Sequence, residues 1–153
     1  MMSERFTLDT NILVYALDSQ AGDKHAVASD IVRRSARLDC VLTLQSVVEF
    51  YRAVTRKGIV RHSEAAAQAN DWLDLFQTIS YDQSAVRAAL AEAVAGRFSF
   101  FDALMLATAS SANCRLILSE DMQDGMSYRT LRIRNPFTAT GLPPDLTPLP
   151  GEN

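Results

Sequence analysis

The sequence has little of what compact metal cages and nucleophilic dyads are built from. It contains two cysteines, Cys40 and Cys114, and two histidines, His25 and His62. The cysteines form no C-x-x-C and have no neighbouring histidine pair, which argues against a zinc site or a disulfide framework and leaves them as small buried hydrophobes. The histidines begin or precede expected surface helices, where a solvated role is the default. No lysine follows Lys57. Long apolar runs are also missing: no stretch reaches the roughly 18 residues of a membrane span, and Met1-Met2-Ser3-Glu4-Arg5 leads into no apolar segment with a cleavage site. These absences predict a cytoplasmic protein with no membrane partner. The formal net charge of −3 argues against binding nucleic acid through overall basicity, so such a partner must be held locally.

What is present suits one compact domain. At 153 residues and 48% hydrophobic content, the chain can bury a core without disulfides or a structural metal. Strand-like segments are expected at Arg5–Leu8, Cys40–Leu44, Thr78–Tyr81, Arg115–Leu118 and Thr130–Ile133, separated by segments of helical period. The helices are expected from Ile12, from Lys24 to about Leu38, from Ser46 to about Lys57, from about Ser63, from Ser84 to Ala95, and from Ala103 to about Ala112. The last of these is nearly free of charge and should be buried on most sides. Strands alternating with helices predict an α/β fold, a parallel sheet of about five strands with helices on both faces. The domain is expected over residues 1–140. The tail, 141–153, holds Pro143, Pro144, Pro148 and Pro150 without periodicity and is expected to be flexible.

Four acids fall at informative places. Asp9, Glu49 and Asp121 follow the carboxyl ends of three expected strands, and Asp102 lies in the first turn of a helix. The ligand crevice of an open α/β sheet lies at that edge, so the four can converge. Each also has a bland reading. Asp9 can cap a helix, Ser46-x-x-Glu49 and Ser99-x-x-Asp102 match the capping box, and Asp121 or Asp124 can be a loop acid. Joint placement is what points to chemistry. Two carboxylates about 4 Å apart repel by about 1 kcal/mol in water and about 4 kcal/mol at an effective dielectric near 20, so a group of four needs protons or cations. An oxygen-only ligand set suits Mg²⁺ or Mn²⁺, and ions so held support phosphodiester hydrolysis.

Cationic contacts have one good location. Arg52 and Arg56 follow Glu49 by three and seven positions and share roughly its helical face, where they could meet RNA phosphates. The bland alternative is an intrahelical Glu49–Arg52 ion pair. Two enzyme classes fit poorly. A phosphatase opening with D-x-D would need an acid where Asn11 stands, and a receiver domain would need a late lysine.

The segments Leu8-Asp9-Thr10-Asn11-Ile12-Leu13-Val14-Tyr15, Ser46-Val47-Val48-Glu49-Phe50, Ser99-Phe100-Phe101-Asp102-Ala103-Leu104, Leu118-Ser119-Glu120-Asp121-Met122-Gln123-Asp124-Gly125 and Asn135-Pro136-Phe137 resemble, in order and spacing, those of the PIN-domain family, particularly VapC-type toxins. The resemblance covers nearly all of residues 5–137. It implies a Mg²⁺-dependent endoribonuclease blocked by a cognate antitoxin and often dimeric. It implies Asp9, Glu49, Asp102 and Asp121 as catalytic metal ligands. Thr10, Asn11 and Ser119, which stands where the family often has threonine, would assist, with Asp124 an accessory ligand. The alternative is a catalytically silent PIN-like module that binds RNA or antitoxin.

Overall fold

Alternation along the short strands sets the layers. The computed structural model describes residues 4–153; residues 1–3, the start of the expected domain, lie outside the described part. Strand β1 (Phe6–Leu8) and strand β4 (Leu116–Leu118) pair in parallel, Phe6 with Leu116 and Leu8 with Leu118. Side chains of successive strand residues point to opposite faces. Phe6, Leu8, Leu116 and Leu118 accordingly join one buried cluster, whereas Ile117 joins a second on the other face. Strands buried on both faces are the mark of a sheet covered by helices on each side.

The first face is covered by α1 (Thr10–Leu17), α2 (Asp23–Ser35), α3 (Leu44–Arg56) and α4 (His62–Leu75). The second is covered by α5 (Gln83–Ala95) and α6 (Phe100–Ser111), which pack closely on each other. Every residue of α6 from Ala103 to Ala109 is buried, as its nearly uncharged sequence predicts.

Strands β2 (Val41–Thr43) and β3 (Gln77–Ile79) pair in parallel, and a parallel bridge from Phe6 to Cys40 connects them to β1. Beyond β4 comes β6 (Leu131–Arg134), again parallel. The five expected parallel strands are therefore present, in the spatial order β3-β2-β1-β4-β6. A sixth was not expected: β5 (Ser127–Tyr128) pairs antiparallel with β6 and makes the four-stranded sheet mixed. Its turn, Arg129-Thr130, holds Arg129 at a positive φ of 55°. The sequence offers no glycine or asparagine there to announce a hairpin. Cys40 and Cys114 are buried free thiols. Among the described residues no helix is long and apolar enough to cross a membrane.

The tail differs from its expectation. Residues Pro144–Leu146 form a 3-10 turn, and Leu146 and Leu149 are buried in the first-face cluster. Arg34 of α2 donates from Nε to Glu152 Oε2 at 2.9 Å, and Arg134 pairs with Asp145. The prolines lower the entropy lost on ordering such a segment, while the two leucines, three residues apart, give it apolar surface to bury. Composition showed the first and concealed the second.

Candidate active site

The register of β1 against β4 places the next residue of each strand side by side at the carboxyl edge. The Asp9 amide donates to Leu118 O at 2.9 Å, and Ser119 Oγ donates to Asp9 Oδ2 at 2.7 Å. Asp9 also caps α1, its Oδ1 accepting from the Thr10 amide at 2.7 Å. Capping and site-building are thus the same placement. Only 5% of Asp9 is exposed.

Burial of that carboxylate, with the nearby charges of Asp102 and Asp121 adding to it, raises its pKa from 3.8 to about 6 despite the opposing hydrogen bonds from Ser119 and Thr10. Asp102 is raised as well, by burial first, with Asp121 adding and the Ser99 hydroxyl partly offsetting. Ser99 caps α6 and accepts from the Asp102 amide at 3.3 Å. Ser99 therefore caps α6 without a return bond from its amide to the Asp102 carboxylate among the described residues, and that carboxylate feels the charge of Asp121.

Glu49 arrives from α3. This helix begins at Leu44, not near Ser46, because Thr43 is its cap and accepts from the Ser46 amide at 3.0 Å. Ser46 Oγ itself donates back to Thr43 O at 2.8 Å. The Ser46–Glu49 pattern is consequently no capping box, and Glu49 is left for another role. Thr10 Oγ1 donates to Glu49 Oε2 at 2.9 Å, joining it to the residue beside Asp9.

Asn11 accepts from the Glu120 amide at 3.3 Å through Oδ1, while its Nδ2 is buried without a partner among the described residues. Asp124 stands apart. Its Oδ1 accepts from Arg134 Nε at 3.1 Å and from the Asn135 amide at 2.8 Å, so one of its two carboxylate oxygens is already engaged. Glu49, Arg52, Ala53, Arg56 and Lys57 line an open groove of about 490 Å³. Glu49 bonds to Thr10 and Gln45 in place of Arg52, and both arginines are exposed in the groove beside Glu49.

Two groups were not singled out from the sequence. Gln45 Nε2 donates to Phe101 O at 2.8 Å and lies 3.4 Å from Glu49 Oε1, linking α3 to the start of α6. Its position one turn before Glu49 was a usable signal. Tyr15 and Lys24 both hold Glu120, a contact across more than ninety positions that no local pattern reveals.

The donor set fits a hard divalent cation: carboxylate oxygens, one of them buried at a raised pKa, with hydroxyl donors fixing the carboxylates. Among the described residues no three acidic side chains are drawn together tightly enough to form a finished cage.

Solved structures with this fold include VapC20 of Mycobacterium tuberculosis, a sarcin–ricin loop cleaving toxin, at 17% identity and a TM-score of 0.62. That match covers 76% of this chain and 89% of the other. DNA-bound VapBC from Salmonella typhimurium matches at 12% identity and a TM-score of 0.63, covering 86% and 98%. DNA-bound VapBC2 from Rickettsia felis matches at 14% and 0.62, covering 85% and 97%. No curated protein matches at a significant level. The PIN domain family model matches residues 6–123, from the first strand through the loop that bears Asp121, and the chain belongs to the PIN domain family.

Proposed function

We propose that this PIN domain is a divalent-metal-dependent endoribonuclease, using Mg²⁺ or Mn²⁺, and the toxin of a VapBC-type toxin–antitoxin pair. The observation that carries the reading is the Asp9 carboxylate, held by Ser119 and Thr10 and raised first by its burial and further by the charges of Asp102 and Asp121. Burying a carboxylate among others is unfavourable unless a cation offsets the charge. Asp9, Glu49, Asp102 and Asp121 are the proposed ligands. A divalent ion held there supplies positive charge for the phosphodiester oxygens and acidity to the attacking water.

The chain's own groups do the rest. Ser119 and Thr10 fix Asp9, and Thr10 fixes Glu49 as well. Arg52 and Arg56, beside Glu49, meet RNA phosphates and hold the strand over the acids without reading its sequence. The VapBC complexes that share the fold support an antitoxin as the protein partner. A homodimer and a cytoplasmic setting belong to the same reading.

The test is cleavage of a panel of structured RNAs by purified, antitoxin-free protein with Mg²⁺ or Mn²⁺, beside chelator and an identically purified Asp102→Asn variant. Discrete cuts that require metal and vanish in the variant are expected. Equal cutting by both proteins removes Asp102 from the mechanism. Metal binding without turnover on any RNA would mark a silent binding module.

A further inference from the structure

The loop 119–125 carries Asp121 yet belongs to no strand or helix. Asp121 is exposed, and the side-chain hydrogen bonds that hold the loop are made by its neighbours. Glu120, immediately before it, is gripped at both oxygens: Tyr15 of α1 donates to Oε1 at 2.6 Å and Lys24 of α2 meets Oε2 at 2.6 Å. The Lys24 ammonium also lies 5.3 Å from the centre of the Tyr15 ring, which braces the pair. Three residues after Asp121, Asp124 is gripped by Arg134 and the Asn135 amide. Arg134 is held in turn by Asp145 of the tail, its Nη2 lying 3.1 Å from Oδ1.

We propose that Tyr15, Lys24 and Arg134 are positioning residues that clamp this loop on either side of Asp121, at Glu120 and Asp124, and so set Asp121 for metal binding. The inference rests on the metal-dependent reading above only for its last step. Two adjacent acids, Glu120 and Asp121, thereby have opposite fates. Lys24 neutralises the first, so it adds no further negative charge to the acidic group, and the second remains available. A ligand on an irregular loop must be ordered within about half an ångström to serve a metal, and ordering it costs conformational entropy. A clamp anchored in two helices and the last strand places that cost in folding, before any ion arrives. Isolated exposed ion pairs contribute little to overall stability, so the clamp's signature is local order.

The first readout is amide hydrogen exchange of the metal-free protein. The Glu120 and Met122 amides are protected by Asn11 and Ser119, and that of Gly125 by Ile133 O at 2.8 Å. A Tyr15→Phe/Lys24→Met double variant should exchange Glu120 and Met122 at least about 10-fold faster, with Lys24→Arg retaining protection. Arg134→Met should act at Gly125. The second readout is Mn²⁺ titration by calorimetry, where the double variant should bind about 10-fold more weakly, as expected for loss of an outer partner of a metal ligand. Arg33→Met, which removes an exposed pair with Asp30, should change neither. Unchanged exchange and unchanged Mn²⁺ affinity in the folded double variant would overturn the clamp. Failure of the unaltered protein to bind Mn²⁺ would instead overturn the metal-dependent reading and the clamp's link to it, while exchange would still decide whether the loop is clamped. If the double variant does not fold, Tyr15→Phe alone and Arg134→Met carry the same decision.

Discussion

Ser119 Oγ donates to Asp9 Oδ2 at 2.7 Å, a bond between residues 110 positions apart in the chain and adjacent at the ends of paired strands. The same oxygen accepts from the Met122 amide at 3.2 Å. One hydroxyl thus fixes the first acid and the loop of the last.

Removing that hydroxyl leaves Asp9 with one donor fewer and pushes its carboxyl further up. Protons then compete better with a cation. For Ser119→Ala, Mn²⁺ affinity at neutral pH is expected to fall about 10-fold, in the range for outer-shell partners. Its pH dependence should move to higher pH. Calorimetric titrations between about pH 5.5 and 8 read both effects, since the Asp9 carboxyl titrates within that span, and Ser119→Thr, which keeps the donor, should behave as the unaltered protein.

Asp9 also makes metal-free stability depend on pH. Its carboxyl is held at about 6, above the ordinary 3.8. Below about pH 4 it is protonated in both folded and unfolded chains and adds no penalty. Between about pH 4 and 6 the unfolded chain releases this proton first, so its contribution to stability falls as pH rises, reaching about 3 kcal/mol of lost stability above pH 6. Asp9→Asn should abolish that part of the slope and stabilise the metal-free protein at neutral pH. Urea unfolding of both proteins across the range gives the difference directly. A metal ion should reverse the order by stabilising the folded, ionised Asp9.

Arg52 and Arg56 predict a salt dependence. On an Asp102→Asn background, where RNA should survive the measurement, Arg52→Met is expected to weaken binding similarly for all sequences. It should lower the slope of log affinity against log salt by about 0.7, the value for one phosphate contact on a single strand. An unchanged slope would leave Arg52 as a solvated charge.

The docked tail predicts a cost at a position that composition marks as dispensable. Leu149 is buried against the first-face core, so Leu149→Ala should destabilise the protein by about 2 kcal/mol, the low end for a buried leucine because a terminal segment can relax. A denaturant midpoint equal to that of the unaltered protein would show that the tail is not held.

Local chemistry made much of this molecule readable in one dimension. Helical periods and short apolar runs located six helices and five parallel strands, because each element must bury apolar surface against its neighbours. Asp9, Glu49, Asp102 and Asp121 could be picked out because strand ends and helix starts are where an α/β sheet presents its residues. What required the tertiary structure were relationships without a local period. The Arg129 turn lacks the usual residue for its positive φ, so β5 was unannounced. The start of α3 depended on Thr43, which the Ser46–Glu49 pattern masked. The tail's order depended on a core surface that only the packed helices create. The Glu120 contacts join it to Tyr15 and Lys24 from distant segments, and only the fold decides which of the two adjacent acids, Glu120 and Asp121, is paired with a cationic side chain. Sequence by itself determined the types of element and their order along the chain, since both follow from local periodicity and turn chemistry. The tertiary structure decided the partners of each carboxylate, since hydrogen bonds and charge act through space across positions that the chain order keeps apart.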